Sequence, residues 1–288
     1  MKIRTIVFLS IFFLGLGGPK VDAQLPETEV WLLEFNSSDK IQNVSYLSDF
    51  NPNAYNNQAV FINDNEIALT AELEEGNTDI VILNPSKRKW KRLTKTIESE
   101  YSPRLANGNN ITTVRVEQDE VSQVLWEYPI DADNAGSQLV TDKTNIGYYY
   151  PLNNFKMAFF VIDKTNDLHI VNLRNDKVEY VSKDIGRCFQ VNKKGELIFI
   201  QNLGTPTIKS FNPLNKRVTT ITDALNGSED FVLYGDAEVL LMAKGAQIFK
   251  YNPTAASFIQ QWDLSSYGIK DISRMDYRDG KLLLINKP

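Results

Sequence analysis

Residues 58–94 read QAVFINDNEIALTAELEEGNTDIVILNPSKRKWKRLT, and the four short runs inside this stretch decide how the whole chain is read. Gln58 to Ile62 comes first, then the Asp64-Asn65 turn, Ile67 to Glu72, Asp79 to Leu83, the Asn84-Pro85 turn and Lys89 to Thr94. Runs of this length, bounded by Asn, Asp, Gly and Pro, are strands joined by tight turns. No long stretch of the chain carries the 3.6-residue apolar spacing of an amphipathic helix, so the fold class is all-β.

The same unit recurs on both sides of this copy. An Asn or Asp closes a strand and opens a turn at Asn36, Asn84, Asp131, Asn172, Asn212 and Asn252, at intervals of about 40 to 48 residues. A second series, Asp64-Asn65, Asn107-Gly108, Asn153-Asn154, Lys194-Gly195, Gly235-Asp236 and Asp279-Gly280, keeps step with it, each turn followed by an apolar strand. That period is one four-stranded blade of a β-propeller, and two interleaved series of six predict a six-bladed β-propeller over residues 24–288. The chain ends fit this reading. Glu29 to Phe35 and Ile41 to Leu47 have the character of third and fourth strands, whereas Asp271 to Tyr277 and Lys281 to Ile285 have that of first and second strands. Pairing the two ends in one blade closes the ring and leaves no open edge between first and last blades.

The residues 77–84, NTDIVILN, with Lys91-Arg92-Leu93-Thr94, Tyr101-Ser102-Pro103 and Asn107-Gly108, resemble the WD40-like repeat of the TolB propeller family. In that family a strand ending Arg-Leu-Thr precedes a Ser-Pro…Asp-Gly hairpin. The resemblance implies an extracytoplasmic, TolB-like binding module. It covers most of the chain but is close only over the copy from Asp79 to Val116, and it would be a propeller without the α/β domain that TolB carries before its own.

Composition narrows the function. With 42% hydrophobic and 23% charged residues the chain can bury a core, and with Lys plus Arg at 31 against Asp plus Glu at 36 the net charge is −5. Nucleic acid is therefore not an expected partner, because its recognition starts from a basic surface. One His and one Cys cannot assemble a zinc site or an internal disulfide. No cofactor is expected; calcium, which takes oxygen ligands, is the metal the chain has side chains for. At the start, Lys2 and Arg4 precede an apolar run from Ile6 to Leu16, and Val21-Asp22-Ala23 presents small residues at a cleavage position. This reads as a signal peptide over residues 1–23, too short to span a bilayer, which directs the chain to the periplasm or outside the cell as a monomer without an integral membrane segment.

Chemistry is sought in the loops leading into each inner strand, since in a propeller these converge on the central channel from every blade. They read Ser99-Glu100-Tyr101, Ile146-Gly147-Tyr148, Ile185-Gly186-Arg187, Gly227-Ser228-Glu229-Asp230 and Gly268-Ile269-Lys270-Asp271. Glu100, Tyr148, Arg187, Glu229 and Asp230 form the candidate ligand-binding ring, with Arg187 as its centre and Tyr148, Tyr149 and Tyr150 as a stacking wall. Such a ring suits a protein, a peptide or a small polar ligand. The bland alternative is that these residues cap loops and pair with one another. The enzymatic alternative is a glycoside or lactone hydrolase or lyase, either using Glu100 with Glu229 or Asp230 as paired carboxylates or assisted by calcium held by Glu100, Asp230 and nearby Asn. His169, in the strand-like Leu168-His169-Ile170-Val171, is expected away from the channel, Cys188 in the core, and the basic run from Lys87 to Arg92 at the rim.

Overall fold

The computed structural model describes residues 24–106, 108–131, 136–140 and 144–288. The proposed signal peptide, residues 1–23, lies outside the described residues, as does Asn107 of the second turn series. The N-terminal strands are β1 (Glu29–Phe35) and β2 (Ile41–Tyr46). Five blades follow. Blade 1 holds β3 (Asn56–Phe61), β4 (Ile67–Glu74), β5 (Asn77–Asn84) and β6 (Lys89–Arg92). Blade 2 holds β7 (Ser99–Ala106), β8 (Asn110–Val116), β9 (Gln123–Pro129) and β10 (Ser137–Gln138). Blade 3 holds β11 (Ile146–Asn153), β12 (Lys156–Ile162), β13 (Asn166–Asn172) and β14 (Lys177–Ser182). Blade 4 holds β15 (Ile185–Val191), β16 (Leu197–Gln201), β17 (Thr207–Asn212) and β18 (Arg217–Asp223). Blade 5 holds β19 (Phe231–Tyr234), β20 (Val239–Lys244), β21 (Gln247–Asn252) and β22 (Ser257–Asp263). The sixth blade pairs β23 (Asp271–Arg278) and β24 (Lys281–Lys287) with β1 and β2, in the spatial order β2-β1-β24-β23. The fold is thus an all-β, six-bladed propeller of four-stranded antiparallel sheets, closed as the chain ends foretold.

Closure is in register. Val30 lies opposite Ile285, Leu32 opposite Leu283 and Leu33 opposite Leu282, so the first strand completes the last blade with a full antiparallel ladder. The two faces of that blade then serve two neighbours. Leu282 and Leu284 pack toward blade 5 with Val232, Leu241 and Ile248, whereas Leu283 and Ile285 pack toward blade 1 with Ile67, Leu69 and Val81. This is the two-residue alternation of a strand buried on both sides. The same arrangement holds around the ring: each of the six apolar clusters draws its residues from two successive blades, so the core is a set of six radial seams.

The Asn series has a physical origin at the turns between third and fourth strands. Asn84 Oδ1 accepts a hydrogen bond from the Lys87 amide at 2.9 Å, Asn212 Oδ1 from Leu214 at 2.9 Å, and Asn252 Oδ1 from Thr254 at 2.9 Å. Asn36 and Asn172 do the same for Ser38 and Arg174. A short side chain that holds the following backbone amides is what starts such a turn. Each turn then needs one left-handed residue before the next strand, supplied by Asp39, Arg88, Asp176, Lys216 and Ala256.

Candidate functional site

The inner strands β3, β7, β11, β15, β19 and β23 surround the central channel, and five of them are bulged. The register shifts between Asn57 and Val60, Tyr101 and Arg104, Ile146 and Tyr148, Ile185 and Phe189, and Ile272 and Arg274; β19 alone pairs without a shift. A bulge leaves residues unpaired and re-aims their side chains. Arg104, Tyr148, Arg187 and Arg274 all sit at or directly after one.

Around the end where the inner strands begin, Tyr148, Arg187, Glu229 and Asp230 come together. One Arg187 nitrogen donates to the Ser273 carbonyl at 3.0 Å, another lies 3.9 Å from Glu229 Oε2, and its Nε is buried without a hydrogen-bond partner. Asp230 is buried, and its Oδ1 accepts the Met275 amide at 2.9 Å. Burial pushes the Asp230 carboxyl above its ordinary value against the opposing pull of Arg274 and Arg187. Arg274 joins this group although its position was not foreseen. It donates to the Tyr148 hydroxyl at 3.0 Å, with its guanidinium 5.1 Å from the ring centroid. Burial acts to raise the Tyr148 hydroxyl, and the Arg274 and Arg187 charges overcome it, so the group lies below the ordinary tyrosine value. Tyr55, buried at the start of blade 1, completes the circle, its hydroxyl raised by burial against the Arg274 charge.

Glu100 does not belong to this group. It is fully buried between blades 1 and 2, where Thr96 Oγ1 and the Tyr128 hydroxyl donate to its Oε1 and Oε2 has no hydrogen-bond partner. Burial raises its carboxyl to about 7. The Ser99-Glu100 and Ser228-Glu229 steps differ in place: β7 already begins at Ser99, whereas β19 begins only at Phe231. One glutamate is inside a strand and the other is in the loop before one. The carboxylate pairs of the hydrolase reading, Glu100 with Glu229 or Asp230, are therefore not assembled. Among the described residues no group of three or more His, Cys, Asp or Glu side chains converges as a metal site.

The tyrosine wall is corrected in the same way. Tyr149 turns into the seam between blades 2 and 3, where its hydroxyl donates to Thr112 Oγ1 at 2.8 Å, because successive side chains of a strand point to opposite faces. Tyr150, on the side of Tyr148, instead lies under the Arg104 guanidinium at 4.5 Å. Gly186 and Gly147 have no left-handed backbone; an added Cβ would come within 3.2 Å of Ile200 and 2.9 Å of Phe160 respectively, so these glycines admit close packing of first on second strand.

Toward the other end, the channel holds Arg104 and Asp276. Asp276 Oδ2 accepts the Phe61 amide at 2.8 Å, and burial raises the carboxyl to about 6 although Arg104 opposes the shift. Arg104, Arg274 and Asp276 were missed, although the charged residues within a first strand, as in Ser273-Arg274-Met275-Asp276, were a legible signal. The remaining residues lie where they were expected. His169 faces Tyr180 across β13 and β14, Cys188 is buried with its thiol on the Phe231 carbonyl, and the run from Lys87 to Arg92 spans the turn between β5 and β6. Much of that run is engaged internally: Arg88 with Asp49, Lys91 with the Ile130 carbonyl, and Arg92 with Glu74 and Asp79. Among the described residues no helix is long and apolar enough to cross a membrane.

No protein-family model matches the chain, and no curated protein sequence matches it. Solved structures do. A chain of the nidogen/laminin complex superposes with a TM-score of 0.64 at 9% identity, over 90% of this chain and 98% of that one. The putative TolB of Agrobacterium tumefaciens gives 0.62 at 9% identity, over 91% of this chain and 98% of that one. TolB from Acinetobacter baumannii gives 0.60 at 8% identity; 90% of this chain is covered, and it spans 64% of that protein. At such identities the likeness is one of propeller fold.

Proposed function

We propose that this chain is an exported, TolB-like binding module, monomeric in the periplasm or outside the cell, that takes a polar peptide segment or small polar ligand at the channel mouth where the inner strands begin. The observation that carries this reading is the gathering of two guanidiniums about Tyr148, Arg274 hydrogen-bonded to its hydroxyl and Arg187 near enough for its charge to act on it. The nearest carboxylate of Glu229 stands at the edge of charge-pairing range from Arg187, and Arg187 Nε has no hydrogen-bond partner. Two guanidiniums and an aromatic hydroxyl held in re-aimed strand positions suit an acidic or carboxylate-bearing group on the ligand. The propellers of TolB and of the nidogen/laminin complex lend support as structures of the same fold, the second from a protein complex. Tyr148, Arg187, Glu229, Asp230 and Arg274 are the residues assigned to binding, and Glu100 is assigned to structure.

The test is a fluorescence-detected binding screen of acidic and neutral peptides against the purified protein, repeated on Arg187→Gln, Arg274→Gln and, as a rim control, Lys89→Gln. Acidic peptides should bind at least about tenfold more weakly to the two channel variants and equally well to the rim variant. Peptides that bind all four proteins alike would reject the mouth as the site. A second reading, a lyase, is favoured by the lowered Tyr148 hydroxyl alone. Turnover of an acidic glycoside that disappears in Tyr148→Phe while binding persists would put that reading first.

A further inference from the structure

We propose that the opposite end of the channel is a second, separate binding site, which takes a small carboxylic acid with an apolar body and holds its carboxylate on Arg104. Here, where first strands turn back into second strands, the channel opens into a cavity of about 320 Å³. Arg104, Tyr150, Gln190 and Asp276 line it, with Phe61 and Leu105 at its lip. The volume lies at the lower end of small-molecule sites.

The choice of ligand follows from what these side chains leave unmet. Among the described residues the Arg104 guanidinium makes no hydrogen bond and no ion pair; its contact is the Tyr150 ring at 4.5 Å. Arg278, also on the cavity wall, is by contrast tied to Asp64 at 2.9 Å. A guanidinium stacked on an aromatic ring is fixed in plane and presents its N–H fork edge-on, which is the geometry that receives a carboxylate through two parallel bonds. The Gln190 amide likewise makes no hydrogen bond among the described residues and adds a donor beside it. Asp276 sets the charge limit. Its Oδ2 is bound to the Phe61 amide, which keeps a carboxyl in the cavity, so a dianion such as a phosphate monoester would meet one available cation and one acid. A monoanion asks only for the one cation that Arg104 offers, and meets less repulsion from Asp276. Leu105 is 42% exposed and forms, with Phe61, Val60 and Pro151, an apolar surface that a polar ligand would leave uncovered. None of these residues belongs to the mouth assigned above, and the two sites stand or fall separately.

Isothermal titration of the full protein with 3-phenylpropionate, and with the neutral 3-phenylpropanamide as its isostere, tests the assignment. The acid should bind saturably and the amide at least about tenfold more weakly, and Arg104→Gln should lower the affinity for the acid by a similar factor. Thermal melts establish that the variant is folded; if Arg104→Gln melts early, Leu105→Asp, which places a negative charge on the lip without touching the core, should weaken the acid and spare the amide. Equal binding of acid and amide, undiminished binding to the folded Arg104→Gln protein, or no saturation by about 10 mM acid would overturn the proposal. So would loss of acid binding in Arg187→Gln with Arg104→Gln unaffected, which would move the probe to the other mouth.

Discussion

Glu100 and Glu229 follow the same residue type, Ser, and end in different surroundings, one with no exposed surface and the other partly open to solvent beside Arg187. Burial of the first has a measurable consequence. Its carboxyl titrates near 7 in the folded protein against 4.5 ordinarily, so between those values the folded chain holds a proton that the unfolded chain has released. Stability contributed by this group is therefore highest below about pH 4.5, falls as the pH rises through the window, and levels off above 7, a total of about 3 kcal/mol. Urea unfolding at pH 5 and pH 8 should show a larger loss with rising pH in the native protein than in Glu100→Gln; parallel losses would mean that the carboxyl is not held protonated. A neighbouring residue set explains a motif instead. Arg92 and Thr94, the outer members of the Arg-Leu-Thr strand end, both reach Asp79, at 2.6 and 3.3 Å, so the strand closes over a fully buried carboxyl that only such partners make tolerable.

At the level of the strand, the period of two and its interruptions decide which side chains see the channel. The alternation was readable: Tyr148, Tyr149 and Tyr150 cannot all line one wall, and the middle one packs between blades. Most of the bulges were not readable, because a bulge depends on how the partner strand is paired; β7 is the exception, where Pro103 marks the break between Tyr101 and Arg104. Gly147 shows how tightly the bulged strands lie on their neighbours. A Cβ there would stand 2.9 Å from the Phe160 ring, which itself meets Tyr148 edge-on at a centroid distance of 5.5 Å. Gly147→Val should therefore lower stability by about 1–3 kcal/mol through overpacking and displace Tyr148. Chemical denaturation together with the Tyr148 resonances in a tyrosine-labelled sample checks both effects; an unchanged midpoint would show that the strand has room to spare.

For the whole molecule, ring closure makes the last blade the joint property of both chain ends. Removing residues 24–47 takes away β1 and β2, and with them the ladder on which β24 rests and the Val30, Leu32 and Leu33 contributions to two seams. The truncated chain should lose its cooperative transition altogether rather than the increment of half a blade, because an unpaired inner edge and two opened seams propagate around a closed ring. Calorimetry distinguishes the cases: a single sharp transition retained at the original temperature would mean that the other blades stand without closure.

The sequence by itself determined the all-β class, the six units, their four strands and the pairing of the two ends. These follow from turn chemistry and apolar period, which are local and repeated six times, so one worn copy does not hide the pattern. It also placed Arg187, Tyr148, Glu229 and Asp230 near one another, since the segment that begins each inner strand must approach the axis. Only the tertiary structure decided that Glu100 leaves that company, that Arg274 joins it, and that Arg104 and Asp276 share the far end. The reason is geometric. Which face a residue presents is set by strand register and by bulges, and both are fixed by packing against the neighbouring blade rather than by the residue's own neighbours in the chain.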